Sequence, residues 1–394
     1  MLNDNYTEDL LGLKDVIVTN VEDFNFEKHI YLTLKVKATP CPICGVLTTS
    51  IHDYREQRVK DISSFGLNTI LHIRKRRYIC NLCDKRFFEE NTFLPKYQRT
   101  TNRLWANIIN SLSDVKSMKQ IGKENNVSGT TVARVLDKIS YGLPKLPEVI
   151  GIDEFKGNSG GEKFNCILTD PKGHNILDIL PKRKAESLYG YFMQFGNRFS
   201  VKFVTMDMSN LFRNVVREAF PNATIIADKY HVVRQVTWAF ENVRKRIQKE
   251  LYKNSRIRLK HSRKLLLKRQ NQLTTDEMYD VAKLLDYSKD LGAAYYLKER
   301  FYEVMESENE YEARIKLSNW FMHAEIANLK EFKDAVNSYH NWEKEILNIF
   351  KYKLTNGFTE GCNNLIKVIK RTGYGLRNFE RFRNRILYIS NSPC

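Results

Sequence analysis

Apolar and polar residues alternate in DVIVTNVED (15–23) and HIYLTLKVKA (29–38), and this period of two predicts an opening pair of β-strands. A basic strand, IRKRRY, follows at 73–78. From 96 to 145 the apolar positions recur every three or four residues, which predicts helices. The character changes again at 148. VIGIDEF, KFNCILTD and HNILDIL read as three successive strands, the last two joined by the turn Asp170-Pro171-Lys172-Gly173. A helix (KAESLYGYFMQF), a strand (SVKFVTMD), a helix (LFRNVVREAF), a strand (ATIIAD) and a long helix from about Lys229 come next. From there to about 350 only helical periodicity and many charges remain. Residues 355–371 predict one more helix, and the end, YGLRNFERFRNRILYI, is basic and aromatic.

The strand order from 148 to 250 has a topological consequence. Three consecutive strands make an antiparallel meander, and the two crossovers after it are right-handed by default. The fourth strand can then return beside the first and run parallel to it, with the fifth one position farther out.

Length and composition narrow the class. The chain has 394 residues, which suggests two to four domains at roughly 100–200 residues each. A hydrophobic content of 42% argues against wholesale disorder. Lys and Arg number 64 against 46 Asp and Glu, a net charge of +18, and a protein this basic points to a polyanion, most commonly nucleic acid. No apolar run approaches the roughly 20 residues of a membrane span. The start, MLNDNYTEDLLG, lacks the pattern of a signal peptide, so a cytoplasmic protein without a membrane partner is expected. Seven cysteines in that compartment favour metal binding or free thiols over disulfides.

Four of them are paired. Cys41-x-x-Cys44 and Cys80-x-x-Cys83, 35 residues apart, suit two knuckles around one structural Zn²⁺. Gly45 falls where a knuckle often needs positive φ. His52 and His72 are expected on the surface, Cys166 in packing, and Cys362 and Cys394 stand apart. Between 115 and 139, Met118, Ile121 and Gly122 face a core, Asn125-Asn126 turns, and Ser128 caps a second helix carrying Val132, Val135 and Leu136. This is a helix-turn-helix pattern. Its open face offers Thr130, Thr131, Arg134 and Lys138 to DNA. Val243 to Arg269 holds twelve Lys/Arg and one acid, Glu250, which suggests further backbone contact.

Carboxylates supply the candidate chemistry. Asp153 closes the first strand of the meander and Asp207 the fourth. Neighbouring strands lie about 4.8 Å apart. Matching ends can therefore hold two Mg²⁺ (or Mn²⁺) ions roughly 3.5–4 Å apart, as phosphoryl transfer on DNA requires. Glu360 is the third candidate. Asn356 and Gly357 look like a cap, Gly361 permits close approach, and Lys367 lies two turns on along the same face, followed by Lys370 and Arg371 as DNA contacts. Asp170 reads as a turn residue and Glu154 as solvated. Asp228 competes with Asp207 but sits one strand farther out, and His231 reads as packing or capping.

These motifs together resemble the bacterial insertion-sequence transposases of the ISL-three type. CPICG with CNLC is similar to that family's zinc ribbon, IGIDEF carries its first acid, and TMDM before FPNATIIADKYHVV its second. TNGFTEGCNNLIKVIKRTGYGLRNFERFRNRIL resembles the segment around its third. The resemblance implies a multidomain α+β / α/β chain with a zinc ribbon, a helix-turn-helix and an RNase H-like mixed sheet interrupted by an all-α insertion. The expected divisions are N-terminal strands at 1–37, zinc ribbon at 38–95, helix-turn-helix at 96–145, first catalytic part at 146–250, insertion at 251–350 and last catalytic part at 351–394. It implies Asp153, Asp207 and Glu360 as a DDE triad, binding of terminal inverted repeats, cleavage and strand transfer, and a homodimer or larger assembly on double-stranded DNA at the bacterial nucleoid. A DNA-binding regulator with an inactive RNase H-like domain, or a structure-specific nuclease, would share most of these features.

Overall fold

The computed structural model describes residues 11–391, so the expectations for the extreme N-terminus and for Cys394 lie outside the described residues. The chain forms two compact units, one from residues up to Tyr141 together with those from Val368, the other from Gly142 to Lys367.

In the first unit, β1 (Val16–Phe24) and β2 (Glu27–Leu34) form the expected hairpin. The pair is not a separate domain. β2 runs parallel to β6 (Leu67–Ile79), which pairs antiparallel with β5 (Ile51–Ser64), so segments 1–37 and 38–95 share one sheet of order β1-β2-β6-β5. β3 (Thr39–Pro40), β4 (Leu47–Thr48) and β7 (Arg86–Phe88) are short strands beside the cysteines. β5 had no signal in the apolar pattern because it is an edge strand with only Val59 and Asp61 buried. His72 is buried within this sheet rather than on the surface. It stacks 4.4 Å from Tyr31 and hydrogen-bonds His29 and Glu56.

Helices α1 (Asn102–Ser111), α2 (Met118–Glu124) and α3 (Gly129–Leu136) follow. Thr101, Ser117 and Ser128 cap them through side-chain oxygens that accept backbone N–H groups. Leu104, Ile108, Leu112, Ile121, Val132, Val135 and Leu136 make their common core. Gly122 is required at the turn, since a Cβ there would lie 2.7 Å from the Val127 carbonyl oxygen.

In the second unit, β8 (Val149–Phe155), β9 (Asn165–Asp170), β10 (Asn175–Leu180), β11 (Phe203–Met206) and β12 (Thr224–Ala227) form a sheet of order β10-β9-β8-β11-β12. The first three are antiparallel neighbours, and β11 runs parallel to both β8 and β12. This is the predicted topology. α4 (Ala185–Phe192) and α5 (Asn210–Ala219) are the crossover helices, and α6 (Lys229–Glu250) follows β12.

The span after α6 is entirely helical among the described residues: α7 (Lys253–His261), α8 (Arg263–Leu267), α9 (Thr275–Leu285), α10 (Lys289–Met305), α11 (Glu310–Ala327) and α12 (Lys333–Tyr352). One hydrophobic core runs without a break from the sheet into these helices, through Phe240, Phe301, Trp320 and Tyr339. The insertion is therefore not independently cored. The basic run 243–269 is also less open than its composition suggests. Arg244, Arg246, Arg258, Arg263, Lys268 and Arg269 are ion-paired, mostly with acids of the later helices such as Glu277, Asp280, Asp290 and Glu331.

The last two helices are α13 (Gly357–Thr372) and α14 (Phe379–Asn391). α14 does not pack with the catalytic sheet, as the division at 351–394 had it, but with the helix-turn-helix. Arg381 forms a two-point ion pair with Asp137. Buried Arg385 donates to the carbonyl oxygens of Leu112, Asp114 and Lys116, satisfying the C-terminal end of α1.

Candidate active site and zinc centre

The two CxxC pairs form matching knuckles. The amide of Cys41 donates to the Val46 carbonyl and that of Gly45 to Cys41, while Cys80 and Asp84 repeat the pattern with Lys85 and Cys80. Gly45 has φ of 73° and Asp84, its counterpart, 55°. Cys41 Sγ lies 3.5 Å from Cys83 Sγ, and Cys44 Sγ 3.4 Å from Cys80 Sγ. Four thiols at mutual contact with no disulfide are the donor set of a closed, tetrahedral zinc site. His52 and His72 are not part of it.

The acid cluster arises from strand register. Ile152, Met206 and Ala227 lie in one row across β8, β11 and β12. The residues that follow this row are Asp153, Asp207 and Asp228: the last two come directly after β11 and β12, while Asp153 does not close its strand, since β8 continues to Phe155 along β9. Asp228 also caps α6, accepting from the Tyr230 amide. One turn into that helix, His231 Nδ1 sits 2.5 Å from Asp207 and 2.7 Å from Asp228. Donor atoms of Asp153, Asp207 and His231 lie within 4.8 Å of one another, and so do those of Asp228, His231 and Glu360. His231 thus joins the two groups, and of the packing or capping role expected for it the contact with Asp228, the N-cap of α6, is the capping part.

Glu360 reaches the cluster from α13, which is held on the sheet by a buried polar network. Thr359 Oγ1 lies 2.7 Å from both Thr169 Oγ1 and Asn356 Oδ1, and Thr205 Oγ1 donates to Asn356 Oδ1 at 3.0 Å. Beneath it, Gly151 leaves no room for a Cβ, which would lie 2.3 Å from Thr169 Oγ1 and 2.6 Å from Thr359 Oγ1. The glycine that permits close approach is Gly151, whereas Gly361 faces open space. Asn363, one turn after Glu360, donates to Asp153 Oδ2 at 2.6 Å.

The electrostatics are those of crowded anions. Burial, and then the charge of Asp207, pushes the Asp153 carboxyl up to about 7. Burial also raises Asp207, and burial and Asp228 raise Glu360. Burial disfavours the His231 imidazolium, but hydrogen bonds to Asp207 and Asp228 outweigh it and bring the group to about 10. Glu360 Oε1 is buried without a hydrogen-bond donor. Oxygen donors in excess of protein cations, one of them orphaned, fit a site for hard divalent metal. Other acids are accounted for elsewhere. Asp170 caps its turn, Glu154 pairs with Arg183, and Glu345 is buried against Arg217.

A family model described as transposase matches residues 150–386, and a second, the zinc-finger of transposase IS204/IS1001/IS1096/IS1165, matches residues 37–83. The chain belongs to the ISL-three type insertion-sequence transposases. It is 29% identical over 399 residues to the transposase for insertion sequence element IS1001 of Bordetella parapertussis, covering 97% of each chain. It is 23% identical over 277 residues to the transposase for IS1557 of Mycobacterium tuberculosis, covering 64% of this chain and 62% of that one.

As a member of this family the chain is an enzyme acting on DNA, with a structural zinc ribbon and a divalent-metal site. No helix among the described residues is long and apolar enough to cross a membrane. In the transposase, Thr130, Arg134 and Lys138 are exposed and Thr131 half-exposed, although α3 ends at Leu136, before Lys138. Lys367 and Arg371 are exposed on α13. The pattern that could have flagged His231 is its position three residues after a strand-end aspartate that caps a helix. That spacing turns both side chains toward the same end of the sheet.

Proposed function

We propose that the transposase binds the terminal inverted repeats of its element and performs both cleavage and strand transfer at Asp153, Asp207 and Glu360. The observation that supports this reading is a chain of carboxylates joined by His231, with Asp153 and Asp207 on one side of it and Asp228 and Glu360 on the other, and with Glu360 Oε1 left without a donor. Two Mg²⁺ ions, when bound there, would activate the attacking hydroxyl and stabilise the leaving 3′ oxygen. Asp153, Asp207 and Glu360 would hold them. Asn363 fixes the Asp153 carboxylate through Oδ2, and His231 holds Asp207 and Asp228 in line. The same residues first orient a water and later the freed 3′-hydroxyl, so no protein nucleophile is required.

Thr130, Thr131, Arg134 and Lys138 are the proposed contacts to the repeats, with Lys367, Lys370 and Arg371 on the phosphates near the reacting bond. Cys41, Cys44, Cys80 and Cys83 hold the zinc. The catalytic part comprises residues 146–250 and the Glu360 helix, with 251–350 inserted between them. The working form is a homodimer or larger assembly on DNA, at the nucleoid of the bacterial cytoplasm.

Labelled duplexes from the boundaries of the element test this reading. Glu360→Gln should bind them as wild type does but cleave and join at least about 100-fold more slowly in Mg²⁺. Glu343→Gln, at a half-exposed residue paired with Arg314, should cleave normally. Cleavage by Glu360→Gln at the wild-type rate would overturn the assignment. Sequence-specific binding without any cleavage by wild type would favour a regulator.

A further inference from the structure

Helix α6 begins at the acid cluster and runs for 22 residues. His231, Arg234, Trp238, Lys245 and Lys249 are spaced by three, four, seven and four residues, which puts them on one face. At 1.5 Å per residue that face extends about 27 Å from the cluster. The opposite face is buried through Val232, Val236, Phe240, Val243 and Ile247.

The outward face is chemically unusual. Trp238 is 55% exposed, whereas Trp320 and Trp342 are buried and Trp105 is half-buried. Tyr230, at the start of the helix, is 54% exposed. The Arg234 guanidinium lies 4.1 Å over the Trp238 ring and 5.9 Å from that of Tyr230. Arg244 and Arg246 on the same helix are held by acids. Arg234, Lys245 and Lys249 form no ion pair among the described residues. Two open aromatic rings, a guanidinium stacked on one of them and two free ammonium groups therefore lead away from the carboxylates.

We infer that this face of α6 binds unpaired DNA. The base of a nucleotide displaced from the duplex stacks on Trp238 beside Arg234, and its strand continues over Lys245 and Lys249. A base in a duplex has both faces covered by its neighbours, so an exposed indole can take only an unstacked one. Lysines without carboxylate partners match the phosphates of that strand. The inference rests on the reading of the acid cluster as the DNA-cutting site, because it places the displaced nucleotide beside the bond to be cut.

The test uses the full chain with an oligothymidylate of about 20 nucleotides and a duplex of equal length. Oligothymidylate should quench the intrinsic tryptophan fluorescence of wild type. Trp238→Ala should lose that quenching and bind oligothymidylate about 10-fold more weakly, with duplex affinity little changed. Trp238→Phe, which keeps a ring, should retain most of the single-strand affinity. Unchanged single-strand affinity in Trp238→Ala would overturn the inference, and so would equal loss for single strand and duplex. Those results leave the cutting site untouched if wild type still cleaves element ends. Cleavage by Glu360→Gln at the wild-type rate would instead remove the reading beneath it.

Discussion

Asp153 carries the largest conflict at the level of single residues. Its carboxyl is raised to about 7 from 3.8 by burial and by Asp207. A group whose folded value exceeds its unfolded one stabilises the fold fully below the unfolded value and loses that contribution as pH rises through the folded one. Metal-free transposase should therefore weaken between about pH 4 and pH 7. Asp153→Asn should melt higher than wild type above pH 7, by roughly 2–4 kcal/mol, with the gap closing toward pH 4. Thermal melts in chelator across that range would show it, and a constant gap would assign the effect to packing. The two acids on adjacent strands were legible in the sequence because a parallel sheet fixes which positions coincide. Asp228 was legible only as a competitor one strand farther out, and His231 only as a packing or capping residue. Their membership depends on the reach of side chains from the next strand and the next helix, which strand spacing alone does not describe.

At the level of elements, the docking of α13 decides where Glu360 stands. That helix has a legible start, since Asn356 precedes it and the Glu360 amide donates to the Asn356 carbonyl. What the pattern did not reveal is the clasp of Thr169, Thr205, Asn356 and Thr359 over Gly151. Threonines in a strand look the same whether they face solvent or a distant helix. Gly151→Ala should force this network apart at a cost of about 1–3 kcal/mol. It should lower cleavage more than it lowers binding to the repeats. Equal loss of both in gel-shift and cleavage assays would mean that the substitution unfolds the sheet rather than displacing the helix. β5 shows the converse limit. A polar edge strand of 14 residues leaves almost no apolar alternation, and its existence follows only from its partner β6.

For the whole molecule, the order of domains was read from the sequence, but their membership was not. Residues from Val368 onward belong with the N-terminal unit, through Arg381 on Asp137 and Arg385 on the carbonyls after α1. Nothing in a basic, aromatic helix announces which core it joins. Assembly on DNA also belongs to this scale, because two element ends must meet for strand transfer. Sedimentation with end duplexes should give at least two chains per pair of ends, and active complexes with a single chain would refute it.

The return of α14 to the helix-turn-helix also constrains how the protein is made. The second unit is spliced into the middle of the first, so the ribosome must synthesise every helix of the insertion before α14 emerges. Until then, the carbonyls that Arg385 satisfies have no partner in the growing chain. A nascent or prematurely terminated transposase therefore carries an unfinished helix-turn-helix unit. Completion of the first unit is thereby coupled to synthesis of the whole of the second.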